Sequence, residues 1–384
     1  IRDRHIMTAW ARTIRLSLQF VFKTFLLYSC LLFMGQQLQA ADTKIGILIG
    51  SYGDIDHVKT ELRPFIRNTL TDPDILPLPA WLRATIADAG WYIERAKLLE
   101  HYAAIGGRTG TRLMSQKQAE AVAAELQRRG LNAKGYAGFT MTTPYVSTVM
   151  DQIRADGVDQ LIVLYQGAQY SHDTTQILFR HVTDYLNKHP DWKVDVVGVR
   201  SFSDDPRFGS LIEANINREL KDSLSRFDPG DVCIYLTAHG NVKRLEQQGD
   251  PYSSQVMRVI NSIRDRFSSS QVFYGFHNHD EIPVVAWSKP NDTESLNTVA
   301  AANCKAVLIN GQISFTVDNL ETLYNQLIEA PEILSKALAQ RHLPSKEVVV
   351  SRVFNLDPDF VSLSADISEE ALQGAGDILP LSGS

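Results

Sequence analysis

The chain has 384 residues, 44% of them hydrophobic and 21% charged, the balance of a globular protein with room for two domains or one large α/β domain. Against 44 Asp and Glu stand 38 Lys and Arg, and a formal charge of −6 excludes the global basic field that would point to nucleic acid. The three cysteines, Cys30, Cys233 and Cys304, form no C-x-x-C and are too few for a four-thiolate iron–sulfur cluster.

Residues 1–41 read as an export leader. Arg2, Arg4, Arg12 and Arg15 precede apolar runs at 16–22 and 24–35, and Leu38-Gln39-Ala40 offers a cleavage site. Met7 fits a translation start. The expected location is periplasmic or otherwise exported. Left uncut, 16–35 has the length of one membrane span, interrupted by Lys23, and would tether the protein to the inner membrane.

From Lys44 the pattern alternates. The run Lys44-Ile45-Gly46-Ile47-Leu48-Ile49-Gly50 reads as a strand buried on both faces, and Ser51-Tyr52-Gly53-Asp54 as the turn after it. Helical segments are expected near 57–69, 80–100, 114–130 and 143–156, with a strand near 131–136. Strands near 159–164, 194–199, 232–238, 271–276 and 305–309 then alternate with helices near 174–188, 207–226, 251–267, 292–302 and 319–329. That spacing predicts βαβ crossovers and parallel sheets, two of about four strands each. A first subdomain is expected over 42–197, a second over 198–329, a helix near 330–350 packing back on the first, and a tail over 351–384. Cys233 and Cys304 fall in or beside apolar strands, where buried free thiols are common.

The chemistry concentrates at Thr237-Ala238-His239-Gly240, the carboxyl end of an apolar strand, where open α/β sheets place their ligands. Gly249-Asp250-Pro251-Tyr252 follows as a turn into a helix, with Asp250 as its N-cap. Taken alone, A-H-G fits a strand cap as well as a site.

Five segments in order resemble the ferrochelatase family. They are His101-Tyr102 with Gly106-Gly107; Tyr136-Ala137-Gly138-Phe139 with Pro144-Tyr145; Gln169-Tyr170-Ser171 with Thr174-Thr175; His239-Gly240 with Gly249-Asp250-Pro251-Tyr252; and Phe315 to Tyr324 with Asp318 and Glu321-Thr322-Leu323. The resemblance implies two Rossmann-like domains around a tetrapyrrole cleft and a lyase that inserts a divalent metal, ferrous iron first and cobalt or zinc as alternatives. It implies no tightly bound cofactor. It places His239 and Glu321 across the cleft as catalytic residues and as metal ligands, with Asp318 beside Glu321 on one helix face.

Metal insertion releases two pyrrole protons, which calls for a base such as neutral imidazole, and imidazole with carboxylate suits a ferrous ion shedding water. Tyr52, Tyr136 and Phe139, with Gln169, Tyr170, Ser171 and Gly240, are the expected substrate contacts. The segment His277-Asn278-His279-Asp280-Glu281 departs from the family's Gln-Ser, and His277 and His279 are expected to bind metal. Gly135 stands where many members carry Arg, and Gly167-Ala168 replaces an aromatic–proline pair. A non-catalytic porphyrin or metal carrier on the same scaffold, and the reverse reaction that removes metal, are the rival readings.

Overall fold

A computed structural model describes residues 43–277 and 285–381, and the leader reading falls outside them. β1 (Lys44–Ser51) lies between β2 (Asn132–Phe139) and β3 (Gln160–Tyr165), with β4 (Asp195–Ser201) beyond β3, all parallel. β5 (Val232–His239) likewise lies between β6 (Gln271–His277) and β7 (Ala306–Asn310), with β8 (Glu347–Val350) parallel beyond β7. Both halves therefore reverse strand order beside their first strand, and the crevices open beyond the carboxyl ends of β1 and β5.

The central strands β1 and β5, and β7 beside β5, are buried on both faces, as their apolar runs require. Ile45, Ile47 and Ile49 of β1 share one core with Ile234 and Leu236 of β5, while Leu48 faces a second core with Tyr136, Val163 and Met150. The first core runs from one half into the other, so the halves form one body around the facing strand ends.

The carboxyl-terminal expectations need correction. Residues 351–381 do not form a loose tail: Pro358–Leu372 is a helix, and β9 (Asp377–Pro380) pairs antiparallel with β4 as a fifth strand of the first sheet. Arg129 and Arg207 clasp that helix through Asp366, Glu369 and Glu370. The helix over 330–350 is Ala330–Gln340, and it packs in the second half with Tyr235, Leu296 and Val307, not on the first. The first sheet also keeps β4 to Ser201, past the expected boundary at 197.

Cys233 and Cys304 are bonded to each other, not free thiols. Parallel pairing of β5 with β7 brings Cys304, just before β7, alongside Cys233 at a Cα–Cα distance of 5.8 Å across 71 residues of sequence. Replacing both by Ser is expected to destabilise the fold by about 2–4 kcal/mol, as loss of a long-loop disulfide does. Denaturant melts of the oxidised protein against the double variant measure it, and coincident curves would remove the disulfide from the list of stabilising contacts.

Candidate active site

His239 is the last residue of β5 and is half-buried. Its Nδ1 lies 2.6 Å from the Gly240 carbonyl oxygen. A carbonyl only accepts, so Nδ1 carries the hydrogen and Nε2 keeps the lone pair. Two bonds hold the strand end. Gly240 donates its N–H to the His277 carbonyl at 2.8 Å, and the Tyr252 hydroxyl donates to the His239 carbonyl at 3.1 Å.

Asp250 explains the rest of the Gly-Asp-Pro-Tyr segment. One oxygen accepts the Tyr252 N–H at 2.8 Å, although Pro251 and not Asp250 stands at the N-cap of the helix Tyr252–Arg266. The other accepts the Ser171 hydroxyl at 2.8 Å and the His172 N–H at 2.6 Å, tying the loop after β3 to the second half. Ser171 Oγ also lies 2.5 Å from Asp173 Oδ1, so its one hydrogen is shared between the two carboxyls. Burial raises the Asp173 pKa, with Asp250 adding to the rise, against the Ser171 hydrogen bond and the nearby His239.

Glu321 opens a π-helix, Glu321–Glu329, after which the Ala330 N–H reaches back five residues to the Asn325 carbonyl. His101 and Tyr102, adjacent on the helix Ala80–Ala104, brace this segment. The His101 ring stacks on Tyr324 at 3.7 Å, and the Tyr102 hydroxyl donates to Asp54. Asp54 is 5% exposed and accepts the Leu320 N–H at 2.9 Å and the Ile55 N–H at 2.7 Å. Burial pushes its pKa up to about 7; the Tyr102 hydrogen bond opposes this, and the neighbouring Glu321 adds to it. The pKa of Tyr165, at the end of β3, is raised by burial first and then by both Asp173 and Glu321, which sets these carboxyls around one phenol.

The site therefore combines an imidazole whose Nδ1 is held by the Gly240 carbonyl with a carboxyl pair, Glu321 and Asp54. Asp54 was not among the residues expected here. An acid after Gly53 reads as turn chemistry, and only the fold brings Tyr102 and Leu320 onto it.

Other expected residues are placed differently. Asp318 is committed to structure. Its oxygens accept Thr322 Oγ1 at 3.3 Å and Asn355 Nδ2 at 2.9 Å, and its carbonyl accepts Thr111 Oγ1 at 2.7 Å. It precedes the π-helix, so the shared α-helical face with Glu321 does not form. Tyr136 points away from the strand ends: its hydroxyl donates to Asp156 at 2.8 Å, beside Lys44 at the start of β1. Phe139 is 1% exposed, and Gln169, 2% exposed, uses its amide to bond the Ile313 carbonyl at 2.6 Å. Tyr170 is turned toward Arg200 on β4. Tyr52 is half-buried at the end of β1, between Ser51 and the Asp54 turn. Gly135 is no substrate-facing position, since a Cβ there would meet the Ala119 carbonyl oxygen at 2.2 Å; it lets the helix Thr111–Arg128 lie directly on β2.

His277 is 2% exposed with its Nδ1 on Thr237, so it is an interior residue and not part of an open metal-binding loop. His279 lies outside the described residues. Among the described residues, no three His, Cys, Asp or Glu side chains converge as a metal site.

The family model described as Ferrochelatase matches residues 44–372. Ferrochelatase-1 (chloroplastic/mitochondrial) of Arabidopsis thaliana is 29% identical over 344 residues, covering 87% of this chain and 71% of that protein. A ferrochelatase of Trichodesmium erythraeum is 27% identical over 338 residues, covering 86% of this chain and 83% of its own. Among solved structures, SirB from Bacillus subtilis with Fe3+ superimposes with a TM-score of 0.51 at 11% identity, over 87% of this chain and 99% of that one. The last likeness is one of fold alone.

Proposed function

The chain belongs to the ferrochelatase family, and on that premise we propose that His239 and Glu321 carry out insertion of ferrous iron into a porphyrin. It is a metal chelatase, and its reaction exchanges two pyrrole protons for a divalent metal in a tetrapyrrole. The observation that carries the residue assignment is the His239 tautomer. With Nδ1 held by Gly240, Nε2 is a fixed acceptor at the mouth of the crevice. Glu321, half-buried beside Asp54, is the facing carboxylate that receives the incoming metal as it sheds water. Asp318 drops out of that role because its oxygens are already taken.

The choice of ferrous iron is supported by the relatives, whose names are those of ferrochelatases. Export is supported by two independent features. One is the Arg-rich start with its apolar run. The other is the Cys233–Cys304 disulfide, a bond that persists in oxidising compartments and is rare in reducing ones. The uncut leader would hold the enzyme at the membrane surface.

Anaerobic incubation with protoporphyrin and ferrous, cobalt or zinc ions, followed by visible spectra, tests the reading. The expected result is conversion of the free-base spectrum to the metalloporphyrin spectrum, fastest with ferrous ion. Tight porphyrin binding with no conversion for any metal would replace the enzyme by the carrier.

A further inference from the structure

The chain enters the π-helix through a clasp made by a residue from much later in the sequence. Asn355 follows the buried Phe354, whose ring stacks on Phe360 at 4.9 Å, and leads toward the helix Pro358–Leu372. Its backbone is left-handed, with φ of 50°, a region that asparagine enters at less cost than most side chains. Its side chain closes around one residue. Asn355 Oδ1 accepts the Asp318 N–H at 3.0 Å, and Asn355 Nδ2 donates to Asp318 Oδ2 at 2.9 Å. A backbone N–H only donates, so Oδ1 must face it and Nδ2 the carboxyl.

Further bonds tie the clasp to the first half. The Asn355 N–H donates to the Thr316 carbonyl at 2.9 Å, and Thr316 Oγ1 donates to the Gln166 carbonyl just after β3, also at 2.9 Å. Gln118 Nε2 donates to the Asn355 carbonyl at 2.8 Å and Thr111 Oγ1 to the Asp318 carbonyl at 2.7 Å, both from the helix Thr111–Arg128. Gln118 is 1% exposed, a costly place for an amide unless both ends are bonded, and its Oε1 accepts from Gln166 Nε2 at 3.1 Å. The segment after β8, a helix of the first half and the approach to the π-helix thus meet on Asp318, one step ahead of Glu321.

We propose that Asn355 is a positioning residue for metal insertion: by clasping Asp318 against the helix Thr111–Arg128 it fixes where the π-helix begins, and so where the Glu321 carboxylate stands. This rests on the reading of Glu321 as the carboxylate that receives the metal. A π-helix winds more loosely than an α-helix, and its start needs a hold from outside because its first N–H groups find no partner within it. Asp54 takes the Leu320 N–H, and Asn355 takes that of Asp318. A misplaced metal-receiving group slows the reaction without loosening the ring. In this clasp the Asp318 carboxyl is one half of a hydrogen-bonded pair, and the hold is the same whichever half carries the charge.

Asn355→Gly keeps the left-handed backbone and removes the amide. With ferrous ion and protoporphyrin as substrates, the full chain carrying it should lose kcat by about 10–100-fold, the rate equivalent of one hydrogen bond to a charged group, with KM for porphyrin unchanged. In a Glu321→Gln background the same change should cost nothing further, because it acts through that carboxyl. Asn355→Asp sets two carboxyls against each other and should lose at least as much. Combined with Asp318→Asn it exchanges amide and carboxylate, restores both bonds, and should return kcat to within a few-fold of wild type. Urea midpoints separate lost folding from lost rate, and the exchanged pair decides the matter even where a single variant is unstable. A pair with the wild-type midpoint and a low kcat would make Asp318 itself part of the reaction and overturn the proposal. So would wild-type kcat in Asn355→Gly, or an equal loss in the Glu321→Gln background, the mark of a merely structural residue. If Glu321→Gln slows insertion and Asn355→Gly does not, this inference falls and the function stands. If Glu321→Gln inserts metal at the wild-type rate, the reading of Glu321 falls and takes the inference with it.

Discussion

His239→Ala is expected to lower the rate of metal insertion by about 10²–10⁴-fold, the usual cost of removing a general base, while tetrapyrrole affinity changes little. The argument is geometric. The Gly240 carbonyl takes the Nδ1 hydrogen, so the nitrogen left to accept a proton is Nε2, at the end of β5. Alanine removes that acceptor but keeps the backbone bonds of the strand end, the Gly240 N–H on the His277 carbonyl and the Tyr252 hydroxyl on the His239 carbonyl. Glu321→Gln should show the same separation of rate from binding. The two losses should not add, because both groups act on one transition state. Single-turnover spectra give the rates, and fluorescence quenching of the porphyrin gives the affinities. If both variants insert metal at the wild-type rate, or if both chiefly lose porphyrin binding, the assignment of His239 and Glu321 is wrong.

Strands β1, β3, β5 and β7 were legible because each is a short apolar run between polar turns, and a strand covered on both faces has no other way to look. The helix Pro358–Leu372 was not, and its buried face shows why. Ser364 and Ser368 are 7% and 0% exposed, and their hydroxyls bond the carbonyls four residues back, at 2.9 Å and 2.7 Å. Serines that satisfy themselves in this way can sit in the core, and they break the apolar period that would have announced the helix.

The same limit applies to the site. His239 and Glu321 stood out because motifs surround them. Asp54 did not, since an acid after a glycine turn has an ordinary local explanation. His277 and His279 looked like one metal pair by spacing alone, yet the end of β6 turns His277 inward onto Thr237. The disulfide was invisible for a related reason. Seventy-one residues separate its cysteines, and only the β5–β7 pairing brings them together.

Asp54 makes the second large prediction, one of stability against pH. Its carboxyl has an ordinary value of 3.8 and is pushed up to about 7, by burial first, with Glu321 adding and Tyr102 and two backbone N–H groups opposing. The folded protein therefore holds this proton more tightly than the unfolded chain does. The stability that proton uptake confers is complete below the unfolded value and is lost as pH rises through about 7. A rise of about three units corresponds to about 4 kcal/mol between the two limits. Asp54→Asn keeps an acceptor for Tyr102 and cannot ionise. In chelator-treated protein it should be more stable than wild type at pH 8, by up to about that amount, and the gain should shrink as pH falls to 5. Asp292 is pushed up to about 7 as well, by burial, so some pH dependence should survive in the single variant and fall further when both acids become amides. Urea midpoints at pH 5 and pH 8 for wild type, Asp54→Asn and the double variant measure the effect. Parallel loss of stability with pH in wild type and Asp54→Asn would mean that Asp54 is already ionised in the folded state. The Tyr102 hydroxyl and the Leu320 N–H would then be bonding a carboxylate, and Glu321 would stand beside a permanent negative charge.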